Sequence, residues 1–437
     1  MEKKNKGLIF YIDTLGCFKN LVDSDILVQN LIADGLKKAD DPESADILIV
    51  NTCGFIDDAK KESIETILSL ASGKGERKLI VVGCLSERYR EELLNLIPEI
   101  DIITGANNWD NIKYLIDNDI RISFNKRHYR YNKIIEKRIL TLPHMAFVKI
   151  SEGCSNNCAF CAIPQIRGKY RSRRMGVIVE EVKLLVKGGV REINLISQDS
   201  SYYGLDMYRK KALYDLLKKL DNIEGDFWIR VFYQNIDLFD NNIILLIRDS
   251  KHILPYFDIP IQHYSDKIIR LMNRGSDSNR IDYIMNLIRE KIPDSVIRTS
   301  VIVGYPGERR EDFEQLKLFL KMNKPDRIGV FKYSDEEGTI AYNFKEKNSD
   351  ATKNRRLKKL IEISAENSLN RNISLIGKKL RVLIDTKEGG YYIARSKYDA
   401  FDVDNLVYIE DTNLKIGEFY NVVIEDAIEF DLFGKIV

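Results

Sequence analysis

Three cysteines fall within eight residues, in Cys154-Ser155-Asn156-Asn157-Cys158-Ala159-Phe160-Cys161. Thiolates are soft ligands that suit iron–sulfur clusters and zinc. A structural zinc site needs a fourth Cys or His close by, and the next histidine is His252. Three thiolates on one tight loop can instead hold three irons of a four-iron cube and leave the fourth iron open. Scattered buried cysteines, or half a zinc knuckle, are the competing readings.

The other three cysteines each follow an apolar, β-rich run: Thr14-Leu15-Gly16-Cys17, Val50-Asn51-Thr52-Cys53 and Val82-Gly83-Cys84. In an open parallel sheet the carboxyl ends of the strands share one edge, where ligands bind. Cys17, Cys53 and Cys84 can therefore converge as a second set of three metal ligands. Gly16, Gly54 and Gly83 would let the backbone approach a bulky cofactor. Three separately buried structural cysteines are the plainer alternative.

The elements that must position these residues are legible as alternating strands and helices. Residues 1–125 carry predicted strands at 8–15, 47–50, 79–82 and 101–104. Helical spacing covers 20–34, 57–70, 87–96 and 111–116, so a parallel sheet with covered faces is expected. Residues 126–144 read as a basic connector. Six further strands, at 145–150, 192–197, 227–233, 256–259, 297–303 and 327–333, predict a partial (β/α) barrel. The Cys154 loop follows the first of them. Gln198, Asp199, His263, Gly304 and Glu308 fall at the ends of others, on the face where such folds place their sites. A polar helix over 351–376 precedes five short strands from 377 onward, which predict a small OB-like barrel. The expected domains are thus 1–125, a linker at 126–144, 145–376 and 377–437.

The chain has 437 residues, 44% hydrophobic and 31% charged, with a net charge of +2. That describes a soluble globular protein. No apolar run nears the length of a membrane span, and residues 1–6 do not open a signal peptide. Six cysteines without an export signal point to a reducing cytoplasm and to metal binding or catalysis. Charge is unevenly spread. Residues 126–174 hold 12 Lys/Arg against two acids, whereas 377–437 hold eight basic and 12 acidic residues. Arg167, Lys169, Arg171, Arg173 and Arg174 are expected to form a basic rim near the first triad. His128 and His144 are expected at the surface. The acidic tail, with Asp399, Asp402 and Asp404, should repel RNA and attract a basic protein.

Longer motifs surround these residues. They include 14–24 (Thr-Leu-Gly-Cys-Phe-Lys-Asn-Leu-Val-Asp-Ser), 51–56 (Asn-Thr-Cys-Gly-Phe-Ile) and Cys161-Ala162-Ile163-Pro164. Ile166-Arg167-Gly168-Lys169, Asp258-Ile259-Pro260-Ile261-Gln262-His263 and Glu336-Glu337-Gly338-Thr339 follow. On these motifs the whole chain resembles the methylthiotransferases of the radical S-adenosylmethionine (SAM) superfamily, which end in a TRAM domain. It looks most like the branch that acts on small-subunit ribosomal protein S-twelve. One departure is Tyr233-Gln234-Asn235-Ile236, where the family pattern leads one to expect a proline soon after the strand.

The resemblance implies a mechanism. Cys154, Cys158 and Cys161 would hold a 4Fe–4S cluster that cleaves SAM to a 5′-deoxyadenosyl radical. Cys17, Cys53 and Cys84 would hold a second 4Fe–4S cluster that carries the sulfur. The radical takes hydrogen from the β-carbon of an aspartate on the ribosomal protein, where a methylthio group is added. Such a C–H bond lies beyond acid–base catalysis, so the cofactors carry the hard chemistry. Phe160, Gly188, Gly189, Gln198, Gly304, Gly307 and Glu308 are the expected cofactor contacts, and an electron donor is required. A membrane is not expected as a partner, nor is tRNA. The alternatives are a tRNA methylthiotransferase with the same cofactors and a non-catalytic nucleic-acid-binding protein with structural zinc.

Overall fold

The computed structural model describes residues 7–108, 111–124, 134, 138–410 and 413–437. The expected basic residues Lys126, Arg127, His128, Arg130, Lys133 and Lys137 lie outside the described residues.

The first unit is a six-stranded parallel sheet. Its strands are β1 (Ile9–Thr14), β2 (Lys37–Lys38), β3 (Ile47–Thr52), β4 (Lys78–Gly83), β5 (Ile102–Thr104) and β6 (Ile122–Ser123), in the order β2-β1-β3-β4-β5-β6. β3 is buried along its whole length, as its continuous apolar run requires when both faces are covered. The helix Phe18–Ala33 packs Leu27, Val28 and Leu31 on one face with Phe10. Ile67 and Ala71 of the helix Asp57–Ser72 cover the other face with Leu48 and Val50. Strand order reverses at β1 and β3, which opens a crevice at their carboxyl ends.

The sequence predicted one helix over 87–96. Two are present, Cys84–Arg88 and Arg90–Leu96, broken at Tyr89, which leaves helical geometry at φ −124° and ψ 39°. Cys84 is therefore the first residue of a helix that starts directly on β4.

The second unit contains β7 (Met145–Lys149), a short pair β8 (Ser151–Glu152) and β9 (Arg171–Ser172), then β10 (Glu192–Ile196), β11 (Trp228–Val231), β12 (Tyr256–Asp258), β13 (Val296–Val303) and β14 (Arg327–Lys332). β7, β10 and β11 form one parallel sheet, and β12, β13 and β14 another. A parallel bridge between Ile229 and Ile253 joins them. The result is an open array of six strands, the expected partial barrel. Amphipathic helices such as Met175–Lys187 and Leu213–Asp221 cover it, burying Ile178, Val182, Leu216 and Leu220 against the strands.

The last unit is a closed barrel of β15 (Lys379–Glu388), β16 (Tyr391–Ser396), β17 (Leu406–Ile409), β18 (Phe419–Ala427) and β19 (Asp431–Ile436). Its core residues Val382, Ile384, Val407 and Ile424 are continuous with Met145, Trp228, Tyr256 and Val296. Those four open β7, β11, β12 and β13, so the barrel covers the amino ends of the array. Buried charges fasten it there. Arg395 pairs with Glu192 of β10 and with Asp385 at 2.5 Å. Arg327 of β14 pairs with Asp399 at 2.7 Å.

These contacts overturn three expectations. His144 is buried, with Nε2 2.8 Å from Asp385. Asp399 is fully buried beside Arg327, and Asp404 sits 3.4 Å from Arg298. Of the three acids expected to face a partner, only Asp402 is exposed. For the two aspartates the physical reason is shared, since interior arginines need counter-charges and the barrel supplies them, while His144 is held inside by the barrel's Asp385. Gly188 and Gly189 also fall in the wrong place for a cofactor. Gly188 caps the helix Met175–Lys187 and Gly189 takes a φ of +97°. Both lie before β10, on the edge away from the Cys154 loop.

Candidate metal centre

Cys17, Cys53 and Cys84 leave the carboxyl ends of β1, β3 and β4 and meet in the crevice. A Cβ on Gly16 would fall 2.6 Å from Cys53 Cβ, and one on Gly54 2.7 Å from the Leu85 backbone, next to Cys84. Gly16 also has a φ of +86°, so glycine is required there twice over. Asn20 ties the three strand ends together. Its Nδ2 donates to the carbonyls of Leu15 (2.9 Å) and Thr52 (3.0 Å), and its Oδ1 lies 3.6 Å from Cys84 Sγ.

Cys154, Cys158 and Cys161 occupy the loop after β8, at the carboxyl end of the six-stranded array. The Cys154 N–H donates to the Gly168 carbonyl at 3.0 Å. Gly153, at φ +71°, has no room for a Cβ, which would fall 2.3 Å from the Lys169 carbonyl oxygen. The loop is fixed to the neighbouring strand ends by side chains. Asn156 and Asn235 both donate to Asp199 Oδ2, at 2.7 and 3.2 Å. Arg274 donates to Asn235 Oδ1 at 2.8 Å and lies 3.9 Å from Cys158 Sγ.

One residue joins the two triads. Arg167 ends the helix Ile163–Arg167, six residues after Cys161, and is 1% exposed. Its Nη2 donates to Asn20 Oδ1 at 2.5 Å and to Cys84 Sγ at 3.3 Å. Its Nη1 pairs with Asp23 at 2.5 Å and with Glu152 at 3.4 Å, and Lys149 pairs with both acids too. The expected basic rim is corrected accordingly. Arg167 and Arg173 are interior partners of Asp23 and Glu181, while Lys169 and Arg174 face solvent.

The electrostatics of the thiols divide. Burial pushes Cys53 and Cys161 up to about 12 and Cys154 to about 11, helped by neighbouring cysteines or Asp199. Cys17 is lowered: desolvation opposes ionisation, but Lys19, Arg167 and nearby backbone N–H groups outweigh it. Buried thiols of this kind become thiolates by binding metal, which releases their protons. Among the described residues no group of three His, Cys, Asp or Glu side chains closes on a single metal-ion position. What fits a larger group is the chemistry of the donors, two sets of three soft ligands, and the glycine-lined crevice that a Cβ would fill.

The remaining expected contacts are less engaged with the cysteines. Phe160 packs against the apolar cluster of Met272, Tyr305 and Tyr333, and Gln198 is half-buried just beyond β10. Gly304 and Gly307 both adopt positive φ in the loop after β13. Glu308 turns inward there, accepting from the Tyr305 N–H at 2.9 Å and pairing with Arg356 at 3.1 Å. Burial raises it to about 7 in spite of Arg356. His263 is fully buried, and burial lowers it to about 3. Sequence reasoning missed Asn20, Asn156 and Arg274. A signal existed for Asn20: it stands three positions after Cys17, in a first half of the helix that buries Lys19, Asp23, Ser24 and Asp25 as well.

Residues 148–320 match the radical SAM superfamily, 376–437 the TRAM domain, and 9–105 an uncharacterized protein family, UPF0004. Full-length relatives decide the matter. The chain is 43% identical to ribosomal protein uS12 methylthiotransferase RimO of Thermoanaerobacter sp., over 99% of this chain and 100% of that protein. It is 42% identical to RimO of Thermotoga maritima, over 98% and 99%. The chain belongs to the ribosomal protein uS12 methylthiotransferase family. The fold of this methylthiotransferase is also similar to that of TsrM, a radical SAM methyltransferase from Kitasatospora setae. That match has a TM-score of 0.55 at 12% identity, over 74% of this chain and 72% of that one.

Proposed function

We propose that this radical SAM enzyme adds a methylthio group to the β-carbon of an aspartate in ribosomal protein uS12. In this reading Cys154, Cys158 and Cys161 hold one 4Fe–4S cluster, and Cys17, Cys53 and Cys84 hold a second. When bound, the clusters and SAM supply the electron, the radical and the sulfur. The protein's own residues position and enclose. Arg167 carries the reading: a side chain six residues from one triad donates to a sulfur of the other, so the two triads share one interior. Asp199, Asn235 and Arg274 fix the Cys154 loop, and Asn20 fixes the strand ends around the other triad. Of the expected cofactor contacts, Phe160, Gln198, Gly304 and Gly307 remain candidates by position.

The division into 1–125, 126–144, 145–376 and 377–437 belongs to the same proposal, as does a cytoplasmic setting with an electron donor. No described helix is long and apolar enough to cross a membrane. Mass spectrometry of ribosomal protein uS12 from cells with and without this gene tests the function. The expected result is a methylthio mass on one aspartate in the first sample alone. The same mass on tRNA, with uS12 unchanged, would install the tRNA alternative. Anaerobic material should also carry about eight irons, four for each triad.

A further inference from the structure

Lys19 is a buried cation with no carboxylate. It lies in the first turn of the helix Phe18–Ala33, two residues after Cys17, and is 7% exposed. Its ammonium crosses to the second unit, 3.4 Å from the Ser197 carbonyl oxygen just beyond β10. It also sits 3.5 Å from the centroid of the Tyr233 ring beyond β11. The charges around it are matched among themselves: Arg167 and Lys149 with Asp23 and Glu152, Arg298 with Asp258 and Asp404, Arg274 with Asp237. Among the described residues no Asp or Glu pairs with Lys19.

A buried ammonium without a counter-ion is costly. The Tyr233 ring offsets part of that cost through its π face while adding no negative charge. Tyr233 is itself held in an unusual state. Its φ is +58°, fixed by its N–H donating to Asp258 at 2.9 Å and its carbonyl accepting from the Ser200 N–H at 2.9 Å. Strained non-glycine backbone of this sort persists where the surroundings over-determine it, commonly at functional sites. The crevice between the two triads thus presents one positive charge that no carboxylate pairs with, the Cys17 thiol being the acidic side chain beside it.

We propose that Lys19 binds the side-chain carboxylate of the target aspartate, an inference that rests on the function proposed above. The carboxylate is bonded to the β-carbon that is modified. Holding it would place that carbon between the triads and would separate aspartate from asparagine, because a neutral amide cannot replace the missing charge. Carboxylate is also carried by SAM, so the test must separate the two sources.

The test uses cluster-loaded enzyme and uS12 peptides carrying either the aspartate found by mass spectrometry or asparagine in its place. Equilibrium binding should show wild type preferring the aspartate peptide by about ten- to a hundredfold, the range of a hydrogen bond to a charged group. Lys19→Gln, compared with wild type at equal iron loading, should bind the two peptides alike, with SAM affinity at the wild-type value. Lys19→Arg should restore part of the preference, which also covers the case in which the glutamine variant fails to fold. A preference that survives in Lys19→Gln overturns the inference. So does a loss of SAM affinity with the preference intact, which would assign Lys19 to the SAM carboxylate. Loss of iron, with both peptides weakened together, would assign it to the cluster and equally overturn it. Wild type that binds neither peptide would instead bring down the functional reading, before any substitution is made.

Discussion

Cys154, Cys158 and Cys161 share one loop of eight residues, whereas Cys17, Cys53 and Cys84 come from three strands spread over 68 residues. The two triads have the same donors but are held by different means. The loop triad is placed by its own spacing and then pinned from outside, through Asn156 to Asp199 and through Arg274 beside Cys158. The strand triad has no spacing of its own. It exists because β1, β3 and β4 lie side by side in register and end at one edge. A loop site is therefore a local property, and a strand-end site is a property of the whole sheet. Arg167 belongs to both, and its removal should blur the distinction most.

Arg167→Met should give the largest effect. The guanidinium is buried against Asp23, Glu152, Asn20 and Cys84. Deleting it leaves carboxylates shared with Lys149 alone, an expected loss of about 3–5 kcal/mol. Thermal unfolding of the apoprotein measures it. Both triads should also lose iron together. A variant that lost iron at one triad only would show that the two sites are built independently after all.

The glycine pair should sharpen the comparison at somewhat lower cost. Gly153→Ala and Gly16→Ala each force a side chain into left-handed backbone, about 1–2 kcal/mol apiece before any clash. In Gly153→Ala the new Cβ meets the fixed carbonyl oxygens of Lys169 and Gly168. In Gly16→Ala it meets Cys53 at its Sγ, which can turn, and at its Cβ, which the backbone fixes. Each variant should retain about half the iron, since each triad would hold one four-iron cube. Deoxyadenosine release from SAM should vanish in Gly153→Ala and persist in Gly16→Ala. Equal loss in both would break the division of labour.

What the sequence revealed follows the same line. The loop triad could be read from spacing, and the strand triad from three matched strand ends. The alternation of strands and helices and the closed barrel were legible because their apolar periods are local. The charged interior was not. Arg167 pairs with Asp23, 144 positions away, and Arg327 with Asp399, 72 positions away. A run such as Arg167 to Arg174 looks like a solvated rim because the sequence shows charge but not direction. His144, Asp399 and Asp404 were misplaced for that reason. Gly188 and Gly189 were misplaced for another: a glycine pair marks a helix end as readily as a cofactor cradle, and only the strand that follows shows which edge it occupies.

The smallest effects should come from the two asparagines, and they test the comparison at its finest. Asn20→Ala would strand the carbonyls of Leu15 and Thr52 and one Arg167 donor in a buried crevice. Those are three lost partners, so a cost of roughly 2 kcal/mol or more is expected. Asn156→Ala removes one donor from Asp199, which keeps the Asn235 amide and the Ser201 N–H at 3.0 Å. Asp199 is buried but keeps two donors, so one lost partner should cost about 1 kcal/mol. Urea midpoints of the apoproteins measure both. If the triads differ as argued, Asn20→Ala should also slow reconstitution of the strand-end site, since among the described residues no other single side chain ties its three strand ends together. Asn156→Ala should leave the loop site able to take up iron at the wild-type rate, because the spacing of its cysteines survives the substitution. An Asn156→Ala protein less stable than Asn20→Ala would reverse the argument: the loop would then be the site that depends on its surroundings, and the sheet the one that stands by itself.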